Sequence, residues 1–187
     1  AHKDDNVYVN LFASGNATLQ TANNTVTLSQ ETEYPWQGEV TIHVEPEESQ
    51  TFAVCVRIPG WARNEAVPSD LYTFQDTVKD QPRLEVNGKR VSATIERGYA
   101  RIERRWEKGD TIELRLPMPV RRIIANEAVQ ANRGKVALQR GPLVFCLEGH
   151  DNGDDVLSLV ISDDVKFRTR HENDLLGGVT VLTGKAR

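Results

Sequence analysis

Leu84-Glu85-Val86-Asn87-Gly88-Lys89-Arg90-Val91 sets the dipeptide Asn-Gly between two short runs of strand-forming residues. A two-residue hairpin loop needs positive φ at both positions to match the twist of its strands. Asn followed by Gly meets that need at the least steric cost, so the segment predicts a β-hairpin. On either side the same grammar continues. Arg97-Gly98 precedes a strand over Tyr99–Trp106, and Lys108-Gly109-Asp110 separates it from one over Thr111–Leu116. Ile112, Leu114 and Leu116 alternate with Thr111, Glu113 and Arg115, the period of a strand with one face on a core and the other in water.

The alternation extends towards the N-terminus. Val40, Ile42 and Val44 share one face of a strand closed by Pro46 and Glu47-Glu48-Ser49. Phe52, Val54, Val56 and Ile58 share one face of the next, with Ala53, Cys55 and Arg57 on the other. Val26 and Leu28 point one way within Thr25–Glu31, as do Val7, Val9 and Leu11. Strands recurring every 10–15 residues predict an all-β fold, an antiparallel β-sandwich or jelly roll. No long amphipathic helix is read; Asn126–Asn132, capped by Asn126 and ended by Gly134, is expected to make a turn or two. Pro117-Met118-Pro119 cannot continue a central strand, so a first domain is expected over residues 1–118. Residues 119–187 hold strands at Lys135–Gln139 and Leu143–Glu148 and weaker segments at Leu157–Ile161 and Val179–Leu182. This second β-rich segment either begins a further sandwich or completes the first.

Composition narrows function. Lys and Arg total 23 against 27 Asp and Glu, a net charge of −4, so the cationic excess of a nucleic-acid binder is missing. No apolar run approaches the ~18 residues of a membrane span. The polar start Ala1-His2-Lys3-Asp4-Asp5 has no starter Met and reads as the cut edge of a longer protein. Cys55 and Cys146 are far apart and His2, His43, His150 and His171 are scattered, so no metal-ligand spacing exists. Both cysteines are expected to be small, reduced core residues, although a disulfide stays open. The acidic loop Asp151–Asp155 lacks the ligand register of a calcium site and is read as solvated. Arg104-Arg105 and Arg121-Arg122 are read as solvated or salt-bridged pairs. Serine-hydrolase, P-loop and dinucleotide motifs are absent.

The candidates for binding are aromatic. Glu31 and Glu33 lie just before Tyr34-Pro35-Trp36, and Trp61 follows Pro59-Gly60. Aromatic faces take the apolar side of a sugar ring and a carboxylate takes its hydroxyls, so Glu33, Tyr34, Trp36 and Trp61 are the candidate carbohydrate contacts. The competing reading packs Trp36 over the sandwich edge and Trp61 on the core. Burial favours that reading for Trp61 and still more for Trp106.

Four segments occur together in order: Val7–Phe12 (VYVNLF), Glu31–Gly38 (ETEYPWQG), Arg57–Trp61 (RIPGW) and Ala137–Glu148 (ALQRGPLVFCLE). Together they resemble the β-rich region downstream of the catalytic barrel in glycoside hydrolase family 127, the β-L-arabinofuranosidases and relatives. The resemblance runs from about residue 6 to the end. It implies an (α/α)6 barrel in the same polypeptide as partner, with a zinc-thiolate centre whose cysteine nucleophile has its pKa lowered by the metal. Those residues would lie upstream of Ala1. Cys55 and Cys146 match none of the zinc ligands, so no catalytic residue, metal or cofactor is expected in this segment.

The resemblance therefore implies a non-catalytic accessory part of a glycosidase acting on terminal β-L-arabinofuranosyl residues. Plant-type arabinose-containing glycans are the expected substrates, and export is expected over a cytoplasmic location. Two other readings stand beside it: a stand-alone carbohydrate-binding module using the aromatic platform, and a protein-interaction sandwich pairing through an edge strand.

Overall fold

In the computed structural model, which describes residues 1–3, 6–21 and 23–187, Asn87 and Gly88 take φ of 50° and 70° and close the expected hairpin. The chain runs through β1 (His2–Lys3), β2 (Asn6–Val9), β3 (Gly15–Gln20), β4 (Thr25–Thr32), β5 (Glu39–Pro46) and β6 (Gln50–Arg57). After one 3-10 turn (Gly60–Arg63) come β7 (Tyr72–Phe74), β8 (Arg83–Val86), β9 (Lys89–Arg90), β10 (Ile95–Glu96), β11 (Tyr99–Trp106) and β12 (Asp110–Arg115). Then follow β13 (Val120–Ala125), a second 3-10 turn (Gln130–Asn132), β14 (Val136–Arg140), β15 (Leu143–Phe145), β16 (Arg168–Glu172) and β17 (Val179–Thr183).

Two sheets face each other, ordered β1-β2-β6-β11-β10 and β3-β4-β5-β12-β8-β9. Val7, Val54 and Val56 of the first and Val26, Ile42, Val44 and Ile112 of the second are wholly excluded from water in one shared core. The fold is thus all-β with a β-sandwich core. A third sheet, β15-β14-β13-β7, draws β7 from the middle of the sandwich sequence, and β16 pairs with β17.

Several local expectations need correction. β2 runs parallel to β6, with Val7 opposite Val54, in an otherwise antiparallel arrangement. Leu11 is 80% exposed, because the strand ends at Val9 and Phe12 takes the buried place. β6 is buried on both faces: Ala53 and Cys55 are covered as fully as Val54. Cys146 is exposed and both thiols are free, so only Cys55 is a core cysteine. Burial pushes the Cys55 thiol pKa up, against the Arg101 charge and a Tyr8 hydrogen bond. The Asn126–Asn132 segment makes a turn at Asn126–Val129 and a 3-10 turn at Gln130–Asn132, with Asn126 Oδ1 accepting from the Ala128 N–H at 3.0 Å as the expected cap. Residues 157–161 form no strand, β15 stops at Phe145, and the unforeseen β16 partners β17.

Asn87 also joins two turns. Its Nδ2 donates to Asp110 Oδ1 at 2.6 Å, and its Oδ1 accepts from the Thr111 N–H at 2.9 Å. Asp110 further accepts from the Glu107 N–H at 2.9 Å, with the Arg104 guanidinium 3.8 Å away. Burial resists ionisation of this carboxyl, yet those three partners outweigh burial and hold its pKa below the usual range. A group with a lowered folded-state pKa stabilises the fold above its unfolded value, near 3.9, and loses that contribution as pH falls through the folded value. Asp110→Asn is expected to cost about 1–3 kcal/mol near neutral pH, since one buried acceptor is exchanged for a donor facing donors. Urea melts should show the gap between variant and parent narrowing below about pH 4. A gap that stays constant into acid would contradict this account of the turn.

Candidate functional site

The β4–β5 connection contains a cis Tyr34–Pro35 peptide, and two N–H donors, Trp36 and Gln37, share the Glu33 carbonyl. Thr32 Oγ1 donates to the Glu39 carbonyl at 2.6 Å and accepts from the Tyr34 N–H at 3.0 Å, which pins both ends of the turn. This turn sends Tyr34 and Trp36 in different directions. The Tyr34 ring meets Phe12 edge-on at 5.4 Å and packs on the sandwich core. Trp36 leans on the His171 ring of β16 at 6.4 Å, and Arg140 Nη1 of β14 donates to its carbonyl at 2.6 Å. Glu33 is exposed, while Glu31 faces His43 at 3.5 Å.

Trp61 sits in the first 3-10 turn, partly buried against the core. Arg63 of the same turn makes a bidentate pair with Glu65, both bonds at 2.9 Å. Burial pushes the Tyr34 phenol pKa up, and its neighbour Trp61 pulls it the other way. The Trp61 Nε1 itself is shielded and has no partner of hydrogen-bonding geometry among the described residues. Beneath Trp61 lies a cavity of about 10 Å³, bordered by Asn64, Phe74, Arg121 and Gln139, with room for about one water. The structure therefore brings Tyr34 and Trp61 together at the sandwich rim, turns Trp36 towards the third sheet, and leaves Glu33 in solvent.

The third sheet is fastened by arginines. Arg121 is 5% exposed, bonds Asp76 through Nε at 3.2 Å, and stacks 3.4 Å above the Phe74 ring. Arg122 reaches the Ser162 and Val165 carbonyls and lies over Phe167, tying the C-terminal segment to the opposite face. Arg140 is partly buried, which lowers its pKa, while Glu39 opposes the change. The two carboxyls with resolved shifts, Glu103 and Asp110, are both displaced downwards, the wrong direction for a general acid. Among the described residues no group of three or more His, Cys, Asp or Glu is placed to hold a metal ion. No helix among the described residues is long and apolar enough to cross a membrane.

Sequence reasoning did not single out a second hollow, an open cleft of about 360 Å³ bordered by Tyr8, Asn10, Asn16 and Gln30. Ala13, Gly15 and Ala17 line it, and their small side chains leave this edge unfilled without any motif to announce it.

Comparison with known proteins gives a consistent picture. A family model described as the β-L-arabinofuranosidase GH127 middle domain matches residues 6–118, and one for the glycoside hydrolase family 127 C-terminal domain matches residues 120–180. A non-reducing end β-L-arabinofuranosidase of Bifidobacterium longum subsp. longum is 35% identical over 165 residues, covering 84% of this chain and 22% of that protein. A solved GH127 β-arabinofuranosidase superposes with a TM-score of 0.93 at 38% identity, over 99% of this chain and 29% of the other. The GH127 β-L-arabinofuranosidase of Geobacillus stearothermophilus T6 gives 0.87 at 39% identity, over 100% and 27%. The chain thus spans about a quarter of the length of these relatives.

Proposed function

This chain belongs to glycoside hydrolase family 127, and from that premise we propose that it is the non-catalytic β-rich part of an enzyme releasing terminal β-L-arabinofuranosyl residues. The observation that carries the reading is the fit, at a TM-score of 0.93, to 29% of a β-arabinofuranosidase, with this chain used almost entirely. Its role is to pack on the (α/α)6 catalytic barrel of the same polypeptide and hold it in shape. Exposed apolar side chains support such a contact: Val144 and Leu147 follow β14, and Leu157 and Leu176 are 85% and 88% exposed. The inward packing of Tyr34 and Trp61 argues against a separate aromatic platform for glycans.

The test is the intact mass of the native gene product, joined to an assay of the purified chain on p-nitrophenyl β-L-arabinofuranoside. The expected product has more than three times the 21.0 kDa of the chain, and the chain alone gives no turnover. A mature product near 21.0 kDa, or turnover that follows the chain through purification, overturns the proposal.

A further inference from the structure

We propose that Asn152-Gly153 is a site of spontaneous deamidation and backbone isomerisation in the folded protein, while Asn87-Gly88, the same dipeptide, is locked against it. The chemistry is intramolecular. The backbone nitrogen of the glycine gives its proton to solvent base and attacks the asparagine Cγ. A C–N bond forms, the side-chain amide nitrogen takes up a proton and leaves as ammonia, and a five-membered succinimide remains. Water then adds to one of the two ring carbonyls and breaks that C–N bond, giving an aspartyl or an isoaspartyl linkage. Glycine permits the attack because it has no Cβ to keep the asparagine side chain off its nitrogen.

The fold treats the two pairs differently. Asn87 is held at both ends of its amide by the neighbouring hairpin: Nδ2 donates to Asp110 Oδ1 at 2.6 Å and Oδ1 accepts from the Thr111 N–H at 2.9 Å. Swinging Cγ towards Gly88 breaks both bonds, one of them to a carboxylate. Asn152 lies in the exposed loop after β15. Its side chain makes one bond, Nδ2 to the Glu148 carbonyl at 2.8 Å, in full contact with water. The Gly153 N–H donates to nothing among the described residues, and a Cβ built on Gly153 would meet no atom within 4 Å, so Cγ has an unobstructed approach. The charges of Asp151, Asp154 and Asp155 oppose loss of the Gly153 proton, but they do so in the unfolded chain as well.

The product alters the loop. Gly153 and Asp154 take φ of 76° and 68°, and the turn is closed by the Asp154 N–H donating to the Gly149 carbonyl at 2.8 Å. An isoaspartyl linkage puts an extra methylene into the main chain inside that ring. It also removes the donor to the Glu148 carbonyl. The loop then loses two of the bonds that hold it at the point where the chain leaves the third sheet for β16 and β17.

Trypsin isolates the two sites, because residues 84–89 and 141–166 each contain a single asparagine and no glutamine. The whole native gene product is aged in mildly alkaline buffer, folded and in urea, and the gain of one mass unit in each peptide is followed over time. Isoaspartyl content is read by enzymatic methylation. Folding is expected to slow Asn87 at least about thirtyfold and Asn152 by less than about tenfold, as two bonds with one to a charge compare with one exposed neutral bond. Asp110→Ala should speed Asn87 in the folded protein about tenfold. Trp106→Phe, which weakens the fold elsewhere, should leave Asn87 at the parent rate. The proposal is overturned if folding protects Asn152 as strongly as Asn87, if the Asn152 peptide gains no isoaspartate, or if Trp106→Phe speeds Asn87 as much as Asp110→Ala does. The Asn152 comparison needs no variant, so it stands as the decisive result even where Asp110→Ala fails to fold.

Discussion

Trp106→Ala is expected to destabilise the protein by about 3–5 kcal/mol, the range for deleting a large buried aromatic. Trp106 is wholly excluded from water at the end of β11, with the Phe52 ring 6.1 Å away and the Arg104 guanidinium 5.3 Å from its own ring. Two losses combine. The indole leaves a cavity that the rigid strands around it fill only in part. Its Nε1–H also donates to the Phe52 carbonyl at 3.0 Å, and that bond ties the end of β11 to β6. Trp106→Phe separates the terms: it keeps most of the ring and loses the donor, so about 1–2 kcal/mol should be lost. Urea denaturation of the two variants checks the split. Equal losses for Phe and Ala would show that the hydrogen bond, and not the packing, dominates.

Gly38→Ala should cost about 3 kcal/mol, the upper end for overpacking a closed interior. Gly38 is buried immediately before β5, and its carbonyl accepts from the Leu116 N–H at 2.9 Å. A Cβ at this position would overlap the Leu116 carbonyl oxygen, which is backbone and has no rotamer through which to yield. The limit is space, not conformational freedom, so β5 and β12 must be forced apart where they hold the Glu33–Gln37 turn. For a chain of this size the melting temperature should fall by roughly 6–12 °C. A thermal melt within about 2 °C of the parent would show that the strands separate freely here.

Much of the sandwich could be read from residues because its information is local. Asn87-Gly88 and Arg97-Gly98 sit at positive φ where their turns were expected, and the alternation of β5 and β12 matches their buried faces. What escaped was non-local. Nothing in Asn6–Val9 says that it lies parallel to a strand more than forty positions onward. Cys55 and Ala53 are buried on the outer face because they are short and stand beside larger neighbours, Tyr8 and Arg101 flanking Cys55 across the sheet. β16 is built from Arg168, Thr169, Arg170, His171 and Glu172, mostly exposed residues held by backbone pairing, so hydrophobic periodicity had nothing to register. The aromatic candidates were visible as residue types, but only the hydrogen-bonded Glu33–Gln37 turn and the third sheet decide that Tyr34 faces the core and Trp36 faces His171. The cleft was hidden for the opposite reason: it is made by the smallness of Ala13, Gly15 and Ala17, and an absence of side chain carries no motif.

The excursion of β7 bears on how such a protein can be inherited. Pro117-Met118-Pro119 looks like a seam along the chain, yet Phe74 pairs with Ile123 and lies under Arg121, while the strands before and after β7 stay in the sandwich. A recombination event at that seam would deliver β13 without its neighbour, or strand β7 beside an unrelated sheet. The halves are laced like two pages through one stitch, so they travel through descent as a single heritable piece, whatever else the gene around them gains or loses.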